Sequence, residues 1–111
     1  MTLLSVKSGV IGLAVMLFSA AVHAEAVWID TRSVAEHFFD SIPGDVRFSH
    51  TDIVKEVAAL YPDKNQEIRL YCLIGVRSGK AMEALKAEGY QNVFNVGGID
   101  DARKQRGLFA E

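Results

Sequence analysis

The only cysteine of the chain, Cys72, lies directly after an apolar, β-type run and directly before a segment with helical spacing. The thiol is therefore expected at the carboxyl end of a strand, next to the N-terminus of a helix. Backbone N–H groups and the positive end of the helix converge at such a point and favour a negative charge. We predict that Cys72 is held as a reactive thiolate or persulfide, rather than as an inert buried side chain.

The residues that follow Cys72 suit an oxyanion bound beside the thiolate. Gly75 permits backbone angles and a close backbone approach that a side chain would hinder. Arg77 offers a fixed charge and a planar fork of donors, although an ordinary salt-bridged or solvent-facing arginine is the alternative. We predict Cys72 as the catalytic residue. The predicted substrate-binding residues are Leu73, Ile74, Gly75, Val76 and Arg77.

The first residues have the pattern of a secretory signal peptide, with the positive Lys7, an apolar run over residues 10–22 and a cleavage site at Ala24. An uncleaved membrane anchor is less favoured, because the run is shorter than the roughly 20 residues that a membrane span needs. We expect a leader at residues 1–24 and one folded domain at residues 25–111. An exported, periplasmic protein without a membrane segment after cleavage is the expected product.

Composition limits the partners of this small domain. The chain has 12 Lys and Arg against 14 Asp and Glu, and its net charge of −2 gives no general reason to bind nucleic acid or anionic lipid. His37 and His50, the histidines outside the leader, are not in a ligand spacing with Cys72, so no metal is expected. We expect a monomer whose partners are small molecules.

Alternating strand and helix patterns run through the domain. The predicted strands are Val27–Ile29, Val46–Phe48, Ile68–Tyr71 and Val93–Val96, the last closed by a turn at Gly97-Gly98. The predicted helices run from a Ser33 cap to Phe39, from a Thr51 cap to Tyr61, from a Ser78 cap to a Gly89 stop and from Ile99 to Arg106. This order predicts an α/β domain with a mainly parallel central sheet flanked by helices.

Two further groups of charged residues are interpreted as structural. Asp30 and Arg32 are expected to pair with each other rather than to take part in catalysis. Arg103, Lys104 and Arg106 are expected to form a solvated helix face. In the helix after Cys72, charged residues recur on one side and leave Ala81, Met82 and Leu85 for the sheet.

The loop from Cys72 to Ser78 resembles the active-site loop of rhodanese-type sulfurtransferases. Segments that look like further landmarks of that family follow in the right order, at residues 28–32, 42–44, 78–90 and 92–98. Ser41 and Asp45 depart from the family pattern, which commonly has histidine and alanine there. Residues 48–50 also depart from it, and residues 99–101 lack a frequent nearby tryptophan. The resemblance covers nearly all of residues 25–111 and implies a rhodanese-like single domain.

The resemblance also implies an activity. Cys72 would attack the outer sulfur of thiosulfate, and the resulting persulfide would pass its sulfur to a thiophilic acceptor such as cyanide or a thiol. Arg77 would hold the sulfonate end of the donor and stabilise the departing sulfite. Such a reaction needs no metal or organic cofactor.

Two other functions stay open at this point. A cysteine-dependent phosphatase or arsenate reductase also closes a thiolate loop with an arginine, but with five residues between them, whereas four separate Cys72 from Arg77. A non-enzymatic persulfide carrier or binding module could use the same fold. Turnover of thiosulfate with cyanide separates these functions from the sulfurtransferase.

Overall fold

Four strands form one parallel sheet at the centre of the protein: β1 (Val27–Asp30), β2 (Val46–Arg47), β3 (Ile68–Cys72) and β4 (Val93–Gly98). Their order in the sheet is β2-β1-β3-β4. The helices are α1 (Val34–Phe39), α2 (Ile53–Leu60), α3 (Val76–Ala87) and α4 (Ile99–Gln105). The computed structural model describes residues 25–109, and the predicted leader lies outside them. The α/β prediction is confirmed.

The central strand β3 is buried on both faces of the sheet. Leu70 and Tyr71 point to opposite faces because side chains alternate along a strand. One face carries the larger apolar core, with side chains from α2, α3 and the sheet: Ile29, Ile53, Val57, Ile68, Leu70, Ala81, Leu85, Tyr90 and Val93. The other face carries a smaller core with Ile42, Tyr71, Ile99 and Ala102. The predicted inward positions of Ala81 and Leu85 are confirmed.

Helix α1 forms as predicted, but it buries none of its residues. Its apolar side chains, Val34, Phe38 and Phe39, are exposed. The helix is instead fixed at its first turn, where the Ser33 hydroxyl accepts from the N–H of Glu36 and the Glu36 carboxylate accepts from the N–H of Ser33. Local capping therefore holds this helix, rather than burial of an apolar face.

Several predicted boundaries are wrong, most by a single residue at the end of a strand or helix. Helix α3 begins at Val76 with Gly75 as its N-cap, so Ser78 lies inside the first turn instead of capping it. Strand β4 continues through Gly98 rather than turning at Gly97-Gly98, with an irregularity in its register opposite Leu70 and Tyr71. Asp52, not Thr51, is the N-cap of α2.

The basic residues of the last helix do more than face solvent. Arg106 pairs with both carboxylate oxygens of Asp45 and lies over the ring of Trp28. Arg103 pairs with Asp40. These contacts tie α4 to the segments before and after α1, so the prediction of a merely solvated face is wrong for Arg103 and Arg106.

Within residues 25–109, no helix combines the length and the apolar composition that crossing a membrane requires.

Candidate active site

The sulfur of Cys72 lies at the carboxyl end of β3, under the loop that leads into α3. Cys72 pairs in register with Gly98 of β4 and is only 1% exposed. The N–H of Gly75 donates to Sγ at 3.0 Å, and the hydroxyl of Ser78 lies 3.4 Å from it. The sulfur is buried, but the nearest groups are hydrogen-bond donors rather than hydrocarbon alone.

The hydrogen bonds around Cys72 outweigh the effect of its burial on the thiol. Burial alone would raise the pKa of Cys72, because it disfavours the charged form. The hydroxyl and N–H of Ser78 and the N–H groups of Gly75 and Ile74 act in the opposite direction and lower the pKa to about 7. A substantial thiolate population at neutral pH follows, and the thiolate is the nucleophilic form.

Two glycines allow the loop to close tightly over the sulfur. Gly75 has a φ of +100°, in the left-handed region that favours glycine, and a Cβ there would lie 3.3 Å from the Cα of Gly97. A Cβ on Gly98 would lie 2.3 Å from the carbonyl oxygen of Leu73. The loop therefore packs directly on the backbone of β4.

Asn95 braces this arrangement from β4. Its Nδ2 donates to the carbonyl oxygen of Gly75 at 2.9 Å, and its Oδ1 accepts from the Ser78 hydroxyl at 2.7 Å and from the N–H of Gly97 at 3.1 Å. One side chain thus connects the loop, the first turn of α3 and the end of β4. It holds the Ser78 hydroxyl beside Cys72.

The guanidinium of Arg77 forms a bidentate ion pair with Glu36 of α1. Nη1 donates to Oε1 at 2.7 Å, and Nη2 donates to Oε2 at 2.9 Å. The Glu36 carboxylate and, to a lesser degree, the nearby Cys72 raise the pKa of Arg77 above its usual value. Arg77 is therefore salt-bridged, and Cys72 is close enough to influence its pKa.

Of the remaining predicted binding residues, Leu73 and Ile74 have backbone groups close to the site. The side chains of Leu73, Ile74 and Val76 are all exposed on the outside of the loop. The N–H of Ile74 contributes to the low pKa of Cys72, and the carbonyl of Leu73 rests on Gly98. Their roles in substrate binding remain predictions.

The predicted pairing of Asp30 with Arg32 is present. Both carboxylate oxygens of the buried Asp30 accept from the Arg32 guanidinium, at 3.0 and 2.8 Å. Nδ1 of His37 lies 2.9 Å from Asp30, so this histidine contacts Asp30 in the described structure. Burial would raise the pKa of Asp30, but the hydrogen bonds from Arg32 and His37 lower it. The cluster joins β1 to α1.

Three contributors to the site were not predicted for their roles here: Glu36, Ser78 and Asn95. Glu36 follows Ser33 by three residues, the spacing of a capping box, and that signal was available in the sequence. Asn95 interrupts an otherwise apolar strand, but no sequence pattern connects it to Ser78. In the described part of the chain, no group of three or more His, Cys, Asp or Glu side chains could hold a metal ion.

The parallel sheet and the loop from Cys72 to Ser78, called the cysteine loop below, agree with the comparison to known families. The rhodanese-like domain profile matches residues 16–105, and the chain therefore belongs to the rhodanese family. It is 35% identical over 95 residues to thiosulfate sulfurtransferase PspE of Escherichia coli K12, a match that covers 86% of this chain and 90% of that protein. The predicted family and fold are confirmed, and the chain is a sulfurtransferase of the rhodanese type.

A solved structure and a larger protein are also similar. The structure described as a rhodanese with anions from E. coli is 33% identical, with a TM-score of 0.63, over 69% of this chain and 91% of that one. The tRNA uridine(34) hydroxylase of Erwinia tasmaniensis is 34% identical in an alignment of 90 residues that covers 74% of this chain but only 25% of that protein. The likeness to the hydroxylase thus concerns one part of a longer chain.

Proposed function

We propose that the protein transfers the outer sulfur of thiosulfate to a thiophilic acceptor, such as cyanide or a thiol, through a persulfide on Cys72. The observation that carries this proposal is the set of donors around Sγ, with the N–H of Gly75 at 3.0 Å and a thiol pKa lowered to about 7. The similarity to a thiosulfate sulfurtransferase supports the choice of donor.

In the first half-reaction, the Cys72 thiolate attacks the outer sulfur of thiosulfate. A new S–S bond forms to Sγ while the S–S bond of thiosulfate breaks, and sulfite leaves with that electron pair. The outer sulfur keeps the negative charge that it carried in thiosulfate, so the persulfide carries one negative charge, on its outer sulfur. The amides of Ile74 and Gly75 favour a negative charge at this place both before and after the transfer.

In the second half-reaction, the acceptor attacks the outer sulfur of the persulfide. The S–S bond to Cys72 breaks, and its electron pair returns to Sγ as the thiolate. With cyanide as the acceptor, the product is thiocyanate. Cys72 is then a thiolate again, and the proposed cycle needs no cofactor.

Arg77 is proposed to hold the sulfonate end of the donor. Its guanidinium is planar, stays charged at every relevant pH and interacts electrostatically with Cys72. Arg77→Ala is expected to lower kcat/KM for thiosulfate by about 10- to 1,000-fold, the range for loss of one anion contact in a reacting site. Lys80→Ala, an exposed cation one turn further along α3, is the matched control. Equal kinetics in both variants would remove Arg77 from the proposal.

Steady-state assays test the proposed reaction. The wild-type protein is expected to form thiocyanate from thiosulfate and cyanide, and Cys72→Ser is expected to form none. An aryl phosphate serves as the substrate for the phosphatase alternative. Hydrolysis of the phosphate without thiocyanate formation would overturn the proposal, and stoichiometric sulfur loading without turnover would identify a carrier instead.

A further inference from the structure

We propose that Glu36 is a positioning residue for sulfur transfer, because its carboxylate holds one edge of the Arg77 guanidinium and leaves the other edge for the anionic donor. This inference rests on the proposed reaction at Cys72. It assigns a role in catalysis to helix α1, which lies outside the cysteine loop.

The contact between Glu36 and Arg77 fixes the orientation of the guanidinium. Two hydrogen bonds, of 2.7 and 2.9 Å, run from Nη1 and Nη2 to the two carboxylate oxygens. A single hydrogen bond would leave the planar group free to turn, whereas two parallel bonds set both its plane and its direction. The donors of Arg77 are therefore ordered before a substrate arrives.

The geometry of the pair leaves Arg77 with donors for a second anion. A guanidinium carries five N–H bonds, and Glu36 occupies the edge formed by Nη1 and Nη2. The N–H of Nε and an N–H of one Nη still form a second, adjacent edge of the same plane. A sulfonate can accept from this edge while the carboxylate keeps the first one, so substrate binding does not require the ion pair to break.

Glu36 is itself held in place by the start of its helix. Its Oε1 accepts from the N–H of Ser33 at 2.9 Å as well as from Arg77. The hydrogen bond from Arg77, followed by that from the N–H of Ser33, lowers the pKa of Glu36 far below its usual range, so the carboxylate stays charged. Because α1 buries no residue, the ion pair to Arg77 is a major tie between α1 and the cysteine loop.

If Glu36 hindered the reaction instead of orienting Arg77, its removal would change kcat/KM in the opposite direction. A carboxylate near an anionic donor repels it, and a carboxylate that only blocked Arg77 would slow the reaction. Its removal would then raise kcat/KM for thiosulfate. If Glu36 orients Arg77, its removal lowers kcat/KM, mainly through a higher KM, because the ordered donor edge is lost.

The test compares Glu36→Gln with Glu83→Gln, which removes an exposed carboxylate from α3. We expect kcat/KM for thiosulfate to fall about tenfold in Glu36→Gln and to stay unchanged in Glu83→Gln. Alkylation of Cys72 by the neutral reagent iodoacetamide is expected to stay within about twofold of the wild type in both, because the amides around the thiolate remain. Unchanged or raised kcat/KM in Glu36→Gln would overturn the inference.

A double-mutant cycle separates positioning from a structural effect. In the Arg77→Ala background, Glu36→Gln is expected to change kcat/KM by less than about twofold, because the group that Glu36 orients is gone. An equal loss with and without Arg77 would show a structural role and overturn the inference. Glu36→Asp adds a variant that keeps the charge but shortens the reach, and we expect a loss of kcat/KM there as well.

The same measurements distinguish the two proposals. A wild-type protein that does not turn over thiosulfate contradicts the proposed function. A wild-type protein that turns it over, with Glu36→Gln equally active, contradicts only the role of Glu36.

Discussion

At the scale of single residues, the proposed chemistry depends on how readily the buried Cys72 thiol ionises. Burial disfavours the thiolate, and donors from Ile74, Gly75 and Ser78 more than compensate. The Ser78 hydroxyl has a single proton and three acceptors in reach: Oδ1 of Asn95 at 2.7 Å, and the carbonyl oxygen of Gly97 and Sγ of Cys72, each at 3.4 Å. As Sγ ionises it becomes the stronger acceptor, so the proton is expected to turn toward it.

The reactivity of Cys72 should therefore depend on pH around neutrality. With a pKa of about 7, the thiolate fraction rises with pH below that value and levels off above it. The rate of iodoacetamide alkylation in the native protein is expected to follow a single ionisation with its midpoint near pH 7. A midpoint close to that of an ordinary thiol, above pH 8, would contradict the role of the surrounding donors.

A variant of Ser78 tests whether hydrogen-bond donors offset the effect of burial on the pKa of Cys72. Ser78→Ala removes the hydroxyl donor while leaving the amides, so the pKa of Cys72 is expected to rise from about 7 toward that of an ordinary thiol. The alkylation midpoint shifts to higher pH, and the rate at pH 7 falls accordingly. Ser41→Ala removes a hydroxyl that is not among the donors acting on Cys72, so it is the control and should leave the midpoint in place. An unshifted midpoint in Ser78→Ala would show that the amides alone set the pKa.

The residue types in the sequence predicted much of this site. They did not predict which distant residues contact each other. A lone cysteine followed by glycine and arginine indicated an anion-binding loop. The ion pair of Arg77 with Glu36 joins residues 41 positions apart, and the contact of Asn95 with Ser78 spans 17. Such distant pairs follow from the packing of the elements, which residue type and local spacing do not determine.

At the scale of elements, the start of α3 shows why a capping pattern can mislead. Serine is a common N-cap, and Ser78 precedes a helical pattern. The helix begins earlier, directly after Gly75, which has a positive φ. Gly75 has no side chain and therefore makes no capping hydrogen bond. Ser78 instead lies in the first turn, where its hydroxyl is 3.4 Å from the sulfur of Cys72.

The contacts of Asp45 are a second feature at the scale of elements that the sequence did not predict. They lie on the face of the sheet that carries the smaller core. The sequence showed Asp45 only as a departure from the family pattern. Its side chain is 5% exposed, accepts from the Tyr71 hydroxyl at 2.7 Å and pairs with Arg106 at 2.7 and 3.1 Å. It therefore ties β3 and α4 to the turn before β2.

Asp45→Ala is expected to destabilise the protein by about 1–3 kcal/mol, because it leaves the buried Tyr71 hydroxyl and the Arg106 guanidinium without their acceptor. The free energy of unfolding in urea measures the effect. Asp100→Ala, which removes an exposed carboxylate from α4, is the control and should change stability by less than about 0.5 kcal/mol. Equal stability of the two variants would show that the Asp45 contacts contribute nothing net.

At the scale of the whole molecule, the sheet gathers the site from distant parts of the chain. Parallel strands bring their carboxyl ends to one edge, where Cys72 of β3 meets Gly98 of β4. The α1 helix follows β1 at the same edge and supplies Glu36. The alternation of strands and helices predicted the parallel sheet. It did not predict the order β2-β1-β3-β4, because the pattern along the chain does not fix which strands are neighbours.

The leader is also a prediction for the whole molecule. Lys7, the apolar run over residues 10–22 and Ala24 favour cleavage that leaves Glu25 as the first residue of an exported protein. The intact mass of the protein recovered from the periplasm of a bacterial host is expected to match residues 25–111. A protein retained with Lys7 in the membrane fraction would favour the anchor alternative.

The mass of the intact protein after exposure to thiosulfate tests the central claim most directly. Wild-type protein is expected to gain the mass of one sulfur atom, mapped to Cys72, and to lose it when cyanide is added. Cys72→Ser is expected to gain nothing. A wild-type protein whose mass does not change, or which gains sulfur at another residue, would contradict the account of Cys72 as the sulfur-accepting thiolate.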